Sequence, residues 1–238
     1  MISDEAKSVN FREICMGEIA PGRLFRSSHP IKANKQDELL AMLAVNARIA
    51  SVINLADTVS SLDIKAFSSP WYNSLFKSKR VIALGMDFRI SGDVFNQKLK
   101  NGLQFIINTE GPYLIHCYAG IDRAGFFSMV LESLMGASIN EIIGDYLESF
   151  DSDFESSVHN GISKIDSHIV MQLLSVMDNA EAKLKNNIEH KTNFCAISDE
   201  NLQSIAENYL ERTIGLSAGE IALLKEKLSA TELAAVSL

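Results

Sequence analysis

Ten consecutive residues carry the most evident chemistry: His116, Cys117, Tyr118, Ala119, Gly120, Ile121, Asp122, Arg123, Ala124 and Gly125. A Cys opens the stretch and an Arg follows six positions later. Free Cys titrates near pH ~8.5, and a helix N-terminus beside a cation lowers that well below neutrality, which makes the sulfur a nucleophile. Arg123 offers a planar fork that grips two phosphoryl oxygens at once. Gly120 permits positive φ and lets backbone amides approach a ligand. Pro112 to Ile115 before the stretch and Phe126 to Met135 after it are apolar, so the pattern predicts strand, tight loop, helix. The loop then leads into a helix N-terminus, whose first N–H groups lack intrahelical partners and attract anions. His116 ends the strand and can hydrogen-bond the loop backbone. The expected reaction is in-line attack of Cys117 on a phosphate ester, followed by hydrolysis of the phosphocysteine.

Read as His-Cys-x-x-Gly-x-x-Arg over 116–123, the stretch resembles the signature of cysteine-dependent protein tyrosine phosphatases. It is most similar to a bacterial tyrosine/lipid phosphatase family with the loop His-Cys-x-x-Gly-Lys-Asp-Arg-Thr-Gly. Leu24-Phe25-Arg26-Ser27-Ser28, Val52-Ile53-Asn54-Leu55-Ala56-Asp57 and Glu141 to Leu147 resemble further stretches of that family, as does Ile214-Gly215-Leu216-Ser217 with its acidic, Leu-rich continuation. The resemblance implies an α/β fold, with a central, mostly parallel sheet flanked by helices and a helical C-terminal part. It implies that Cys117 and Arg123 are catalytic and that His116, Tyr118, Ala119, Gly120, Ile121 and Ala124 surround the phosphoryl group. Phosphate or sulfate should bind the loop, the substrate should be a phosphorylated protein or small phosphomonoester, and no metal or organic cofactor is implied. Two positions depart from the pattern. Ile121 replaces a Lys linked to phosphoinositide activity, which weakens the expectation of lipid substrates. Ala124 replaces a hydroxyl residue that stabilises the departing thiolate, so slower breakdown of the phosphocysteine is expected.

Two residues compete as general acid. Asp122 lies where the resembling family places one, and Asp87 lies 30 residues before Cys117, a spacing common in related phosphatases; both stand. Arg26 and Asp57, at strand ends, are candidate substrate contacts, and Asp57 has a rival reading as the cap of the next helix. Rhodanese-type sulfur transfer or arsenate reduction could use the same loop, and a phosphate-binding module with weak turnover is a further alternative.

The elements that must position these residues follow from periodicity. Val9 to Met16 and Arg23 to Ser28 read as strands about Ala20-Pro21-Gly22, Arg12 being a surface residue of an edge strand or part of an Asn-Phe-Arg motif. Helices are expected over Asp37–Asn46, Val59–Phe67, Ser91–Glu110 and Gly125–Leu134, with strands at Val52–Leu55, Val81–Leu84 and Pro112–His116. Trp71 and Tyr72 read as loop packing. Ser138 with Glu141 and Ser217 with Glu220 read as capping boxes. Helices follow to about Phe150, over Asp166–Asn187 and over Asp199–Thr213, and residues 151–215 are either a lid or helices packed on the sheet.

The 238 residues suit one domain spanning 1–238. A net charge of −8 argues against nucleic acid and anionic membrane surfaces. Cys15, Cys117 and Cys195 give neither a disulfide framework nor metal spacing, and Cys15 and Cys195 read as buried or idle thiols. No apolar run is long enough to span a bilayer, and no leader is evident, so a cytoplasmic setting is expected.

Overall fold

A computed structural model of the chain describes residues 4–32, 35–65, 68–87, 92–150, 167–184 and 197–229. Five strands form one sheet: β1 (Arg12–Ile14), β2 (Leu24–Ser27), β3 (Ser51–Asn54), β4 (Val81–Ala83) and β5 (Tyr113–His116). Their order is β1-β2-β5-β3-β4, with β1 antiparallel to β2 and the other pairs parallel. Strands β2, β3 and β5 are buried along their whole length, as a sheet covered on both sides requires. Leu24, Ile53 and Ile115 face one core cluster, while Phe25, Val52 and Leu114 face the other.

The second face is covered by α1 (Asp4–Ser8), α2 (Gln36–Asn46), α3 (Val59–Lys65) and α4 (Pro70–Lys77). Here α4 corrects the loop expected at Trp71-Tyr72: Ser69 accepts from the Tyr72 N–H and Pro70 stands in the first turn, a standard helix start. The first face carries α5 (Asp93–Asn108), α6 (Asp122–Leu134) and α7 (Ile139–Glu148). Phe95, Leu99, Leu103 and Ile106 make the buried stripe of α5, whereas Val94 is exposed. The capping box of Ser138 and Glu141 starts α7 as expected.

The C-terminal helices are α8 (Ser167–Leu184), α9 (Asp199–Asn208) and α10 (Ala218–Ser229). A π-helical turn, Tyr209–Ile214, replaces the expected regular end of the helix from Asp199 and closes on Gly215 at φ 77. Val170, Leu174, Leu202, Leu210 and Leu224 join the core of α5 and α6, so the described helices of this third pack on one face of the sheet. Residues 151–166 and 185–196, Cys195 among them, lie outside the described residues. No helix among the described residues is long and apolar enough to cross a membrane.

Candidate active site

The loop leaves the central strand at the C-terminal edge of the parallel sheet, where open α/β sheets bind ligands. His116 is paired with Ser27 on one side and Asn54 on the other. Cys117 follows, buried, and α6 begins at Asp122. Ile121 holds the N-cap position and has no side-chain acceptor, so the first N–H groups of α6 receive no side-chain cap. Gly120 has φ 80, and a Cβ there would lie 2.4 Å from the Ser27 carbonyl oxygen. Only glycine fits that approach.

The loop's carbonyl groups are held from outside by donors spread along the chain. The His29 N–H donates to Tyr118 O (3.1 Å). Asn10 Nδ2 donates to Ala119 O (3.1 Å), and Arg26 Nη2 donates to Gly120 O (2.8 Å) and Ile121 O (3.1 Å). His116 Nδ1 reaches Cys117 O at 3.4 Å. In a trans peptide the N–H points opposite to the C=O. The N–H groups of Tyr118, Ala119, Gly120, Ile121 and Asp122 are therefore turned away from these donors, toward the other side of the loop.

Two buried polar networks hold these donors, one on each face of the sheet. On the α2–α4 side, the backbone N–H groups of Ala56 and Asp57 donate to Asn54 Oδ1 (2.9 Å each). That fixes the Asn54 amide, whose Nδ2 donates to Asp57 Oδ2 (3.0 Å) and to the Tyr72 hydroxyl (3.0 Å). The Tyr72 proton then goes to His116 Nε2 (3.0 Å), leaving Nδ1 protonated to face the Cys117 carbonyl. Burial and the neighbouring His29 hold the His116 pKa well below its ordinary value, so the ring stays neutral. His29 Nδ1 accepts from the Ile31 N–H (3.2 Å), so Nε2 carries the proton given to Asp57 Oδ2 (2.7 Å).

On the other face, Asp145 of α7 joins Arg26 and Arg12. Arg26 Nη1 pairs with Asp145 Oδ2. Arg12 Nε donates to Asp145 Oδ1 (2.8 Å), and its Nη2 donates to Asp145 O (2.6 Å) and Ser149 Oγ (2.8 Å). Burial pushes the Asp145 carboxyl up, but the charges and hydrogen bonds of Arg26 and Arg12 outweigh it and hold the group below the usual range. Glu132 of α6 lies beside it, and burial together with the Asp145 charge holds its pKa well above the usual carboxylate value. Arg12 is thus a buried brace rather than the surface residue of an edge strand.

Arg123 is buried in the first turn of α6 and donates through Nη1 to Met86 O (3.0 Å) and Leu55 O (3.4 Å). The segments after β3 and β4 thereby orient its guanidinium. Asp87, next after Met86, and Asp122 are both exposed. Ile121 and Ala124 are buried, Ala119 is half-buried and Tyr118 stands 63% exposed.

Two expected substrate contacts are corrected. Arg26 has 0% exposure and grips the loop from behind. Asp57 is buried, with its carboxylate taken up by His29, Asn54 and Ser61. Nor is Asp57 the cap of α3, because Thr58 Oγ1 accepts from the Ser61 N–H (3.3 Å). Cys15 is exposed rather than buried. Among the described residues no His, Cys, Asp and Glu cluster suits a metal ion. His29, Tyr72, Asp145 and Glu132 are not marked by residue type as site residues. Of these, Tyr72 carried a readable signal, a Ser-Pro helix start that puts it on a helix rather than a loop.

The family model of the tyrosine phosphatase family matches residues 72–230, which run from Tyr72 within α4 past the end of α10 and include the whole loop. The chain belongs to the tyrosine phosphatase family. It is a phosphatase of that family, and the cysteine-dependent loop is the feature the site is built on. No curated protein matches the chain. Among solved structures it is similar to the core catalytic domain of the PP-IP phosphatase SIW14 from S. cerevisiae in complex with citrate. That likeness has 20% identity and a TM-score of 0.44, covering 74% of this chain and 90% of that one. A second Siw14 catalytic core gives 18% identity and a TM-score of 0.42, covering 71% of this chain and 92% of that one. At those scores the likeness bears on neither substrate nor residue roles.

Proposed function

We propose that this phosphatase hydrolyses phosphotyrosine, or a similarly exposed phosphomonoester, through a phosphocysteine on Cys117. The observation that supports this most is the outward anchoring of five successive loop carbonyls, from Cys117 to Ile121. It leaves five N–H groups to surround an oxyanion beside the nucleophile, with Arg123 as the bidentate partner. The Cys117 thiolate attacks phosphorus in line, the S–P bond forms and the ester O–P bond breaks. A general acid protonates the departing oxygen. Water then attacks phosphorus and gives a proton back to the acid's carboxylate, the S–P bond breaks, phosphate leaves and the thiolate returns.

Asp87 suits the acid better than Asp122. Its neighbour Met86 is held by the guanidinium that binds the phosphoryl group, whereas Asp122 sits in the first turn of α6, where a negative side chain complements the helix end. Ala124 offers no hydroxyl to the leaving thiolate, so breakdown of the phosphocysteine should limit turnover. The net charge of −8 weighs against polyanionic lipid headgroups.

A series of aryl phosphates of graded leaving-group basicity tests the assignment. Asp87→Asn should lower kcat/KM, which reports the leaving-group-dependent first step, by about a hundred- to ten-thousand-fold for the most basic leaving group, and hardly at all for an activated phenol. Asp122→Asn should show no such gradient. Turnover surviving in Cys117→Ser would contradict the mechanism.

A further inference from the structure

The segment from Ser28 to Lys32 leaves β2 beside the loop and is pinned along its length. The Ser28 N–H donates to Val9 O (2.9 Å) and the His29 N–H to Tyr118 O (3.1 Å). The Ile31 N–H donates to His29 Nδ1 (3.2 Å), and the Lys32 N–H to Asp37 Oδ1 (3.1 Å). At its end, Lys32 Nζ lies 4.5 Å from the centroid of the Tyr118 ring. A cation over a tyrosine face is attracted by the ring quadrupole. Tyr118 immediately follows Cys117 and is exposed, so the ammonium stands at the mouth of the loop. The two sites also sense each other electrically. Burial lowers the Lys32 pKa, and negative charge on Cys117, then on Asp37, raises it.

The charge count gives this ammonium a role. Between His116 and Gly125 the one permanently charged cation is Arg123. A phosphoryl dianion facing a thiolate brings three negative charges to that loop, and backbone amides supply only partial charge. Arg26 stands behind the loop, turned to its carbonyls, and shares Asp145 with Arg12, so on the phosphoryl side one guanidinium falls well short of balancing them.

We propose that Lys32 is the second phosphoryl-binding cation of this site, held in place by the Tyr118 ring, and that it selects dianionic over monoanionic phosphoryl groups. The proposal rests on the phosphatase reading above. It assigns Lys32 direct contact with the phosphoryl oxygens and Tyr118 a positioning role.

The test uses the full chain with tungstate and inorganic phosphate as probes, competing against an aryl phosphate on either side of the second ionisation of phosphate. In Lys32→Met the inhibition constant of tungstate and the KM for aryl phosphate should each rise about tenfold or more, the worth of a lost charged hydrogen bond. The melting temperature should hold. The gain in phosphate affinity on passing to the dianion should shrink in Lys32→Met and return in Lys32→Arg. Tyr118→Ala should weaken tungstate binding partly, and Tyr118→Phe should match the wild type, because the ring and not the hydroxyl holds the ammonium. Wild-type tungstate affinity in a folded Lys32→Met protein overturns the assignment while leaving the Cys117 mechanism intact. Turnover surviving in Cys117→Ser overturns that mechanism while leaving the cation assignment to the tungstate data.

Discussion

Gly120 is the point where residue choice and chemistry meet most tightly. Its φ of 80 and the 2.4 Å that would separate a Cβ from Ser27 O leave no room for a side chain. Gly120→Ala should strain the backbone by about 1–3 kcal/mol and tilt the carbonyl away from Arg26. Expected is a folded protein, lowered in melting temperature, whose oxyanion affinity drops more than its stability; phosphate binding by calorimetry beside thermal unfolding checks this. Unchanged affinity would detach the glycine from the anion site. Cys117, Gly120 and Arg123 were legible in the sequence because a loop carries its own spacing. The residues that aim its carbonyls were not. Asn10 and Ala119 are separated by 109 positions, and Arg12 and Asp145 by 133, distances over which only the folded sheet makes neighbours. Arg26 and Asp57 were noticed for their types but assigned to substrate, since burial is decided by packing from other elements.

At the scale of elements, α6 and α7 bring a carboxyl pair against two arginines. Glu132 and Asp145 titrate in opposite directions from their ordinary values, Glu132 upward from burial and the Asp145 charge, Asp145 downward under the arginines. The sign for Glu132 follows from linkage. Above the ordinary Glu range the unfolded chain releases this proton and the folded chain keeps it. The stability it contributes is thus full below pH ~4.5 and declines as pH rises toward the folded value, at a limiting slope of about 1.4 kcal/mol per pH unit. Glu132→Gln keeps the shape without the titration. Its stability relative to wild type should therefore climb with pH, read from urea unfolding at pH 5, 6.5 and 8; a parallel pair of profiles would contradict a protonated Glu132. His116 works the other way, since its lowered pKa withdraws stability as pH falls, but it is common to both proteins and cancels. The helix–loop–strand order was legible from apolar spacing and caps, as at Ser138-x-x-Glu141. Where the reading failed, at α4, an aromatic pair drew attention away from the Ser69-Pro70 start beside it.

For the whole molecule, the sheet acts as a divider with one polar network on each side of its central strand. His116, Asn54 and Tyr72 lie on the face of α2 to α4, while Arg26, Arg12 and Asp145 lie on the face of α6 and α7. The described C-terminal helices share the core of α5 and α6, with Leu210 and Leu224 fully buried in it. We infer one cooperative domain. Leu210→Ala should cost about 2–5 kcal/mol in a single unfolding transition seen alike by helix circular dichroism and Trp71 fluorescence. Two separated transitions would divide the C-terminal third from the rest. All of these supports converge on one sulfur, and the most direct measurement is made there. An aryl phosphate labelled in phosphorus is mixed with the enzyme, quenched in the first turnovers, and the labelled peptide is mapped. Expected is one label on Cys117, formed faster than it decays because Ala124 leaves the thiolate unaided, and absent in Cys117→Ser. Label on another residue, or full turnover with none on Cys117, would contradict it.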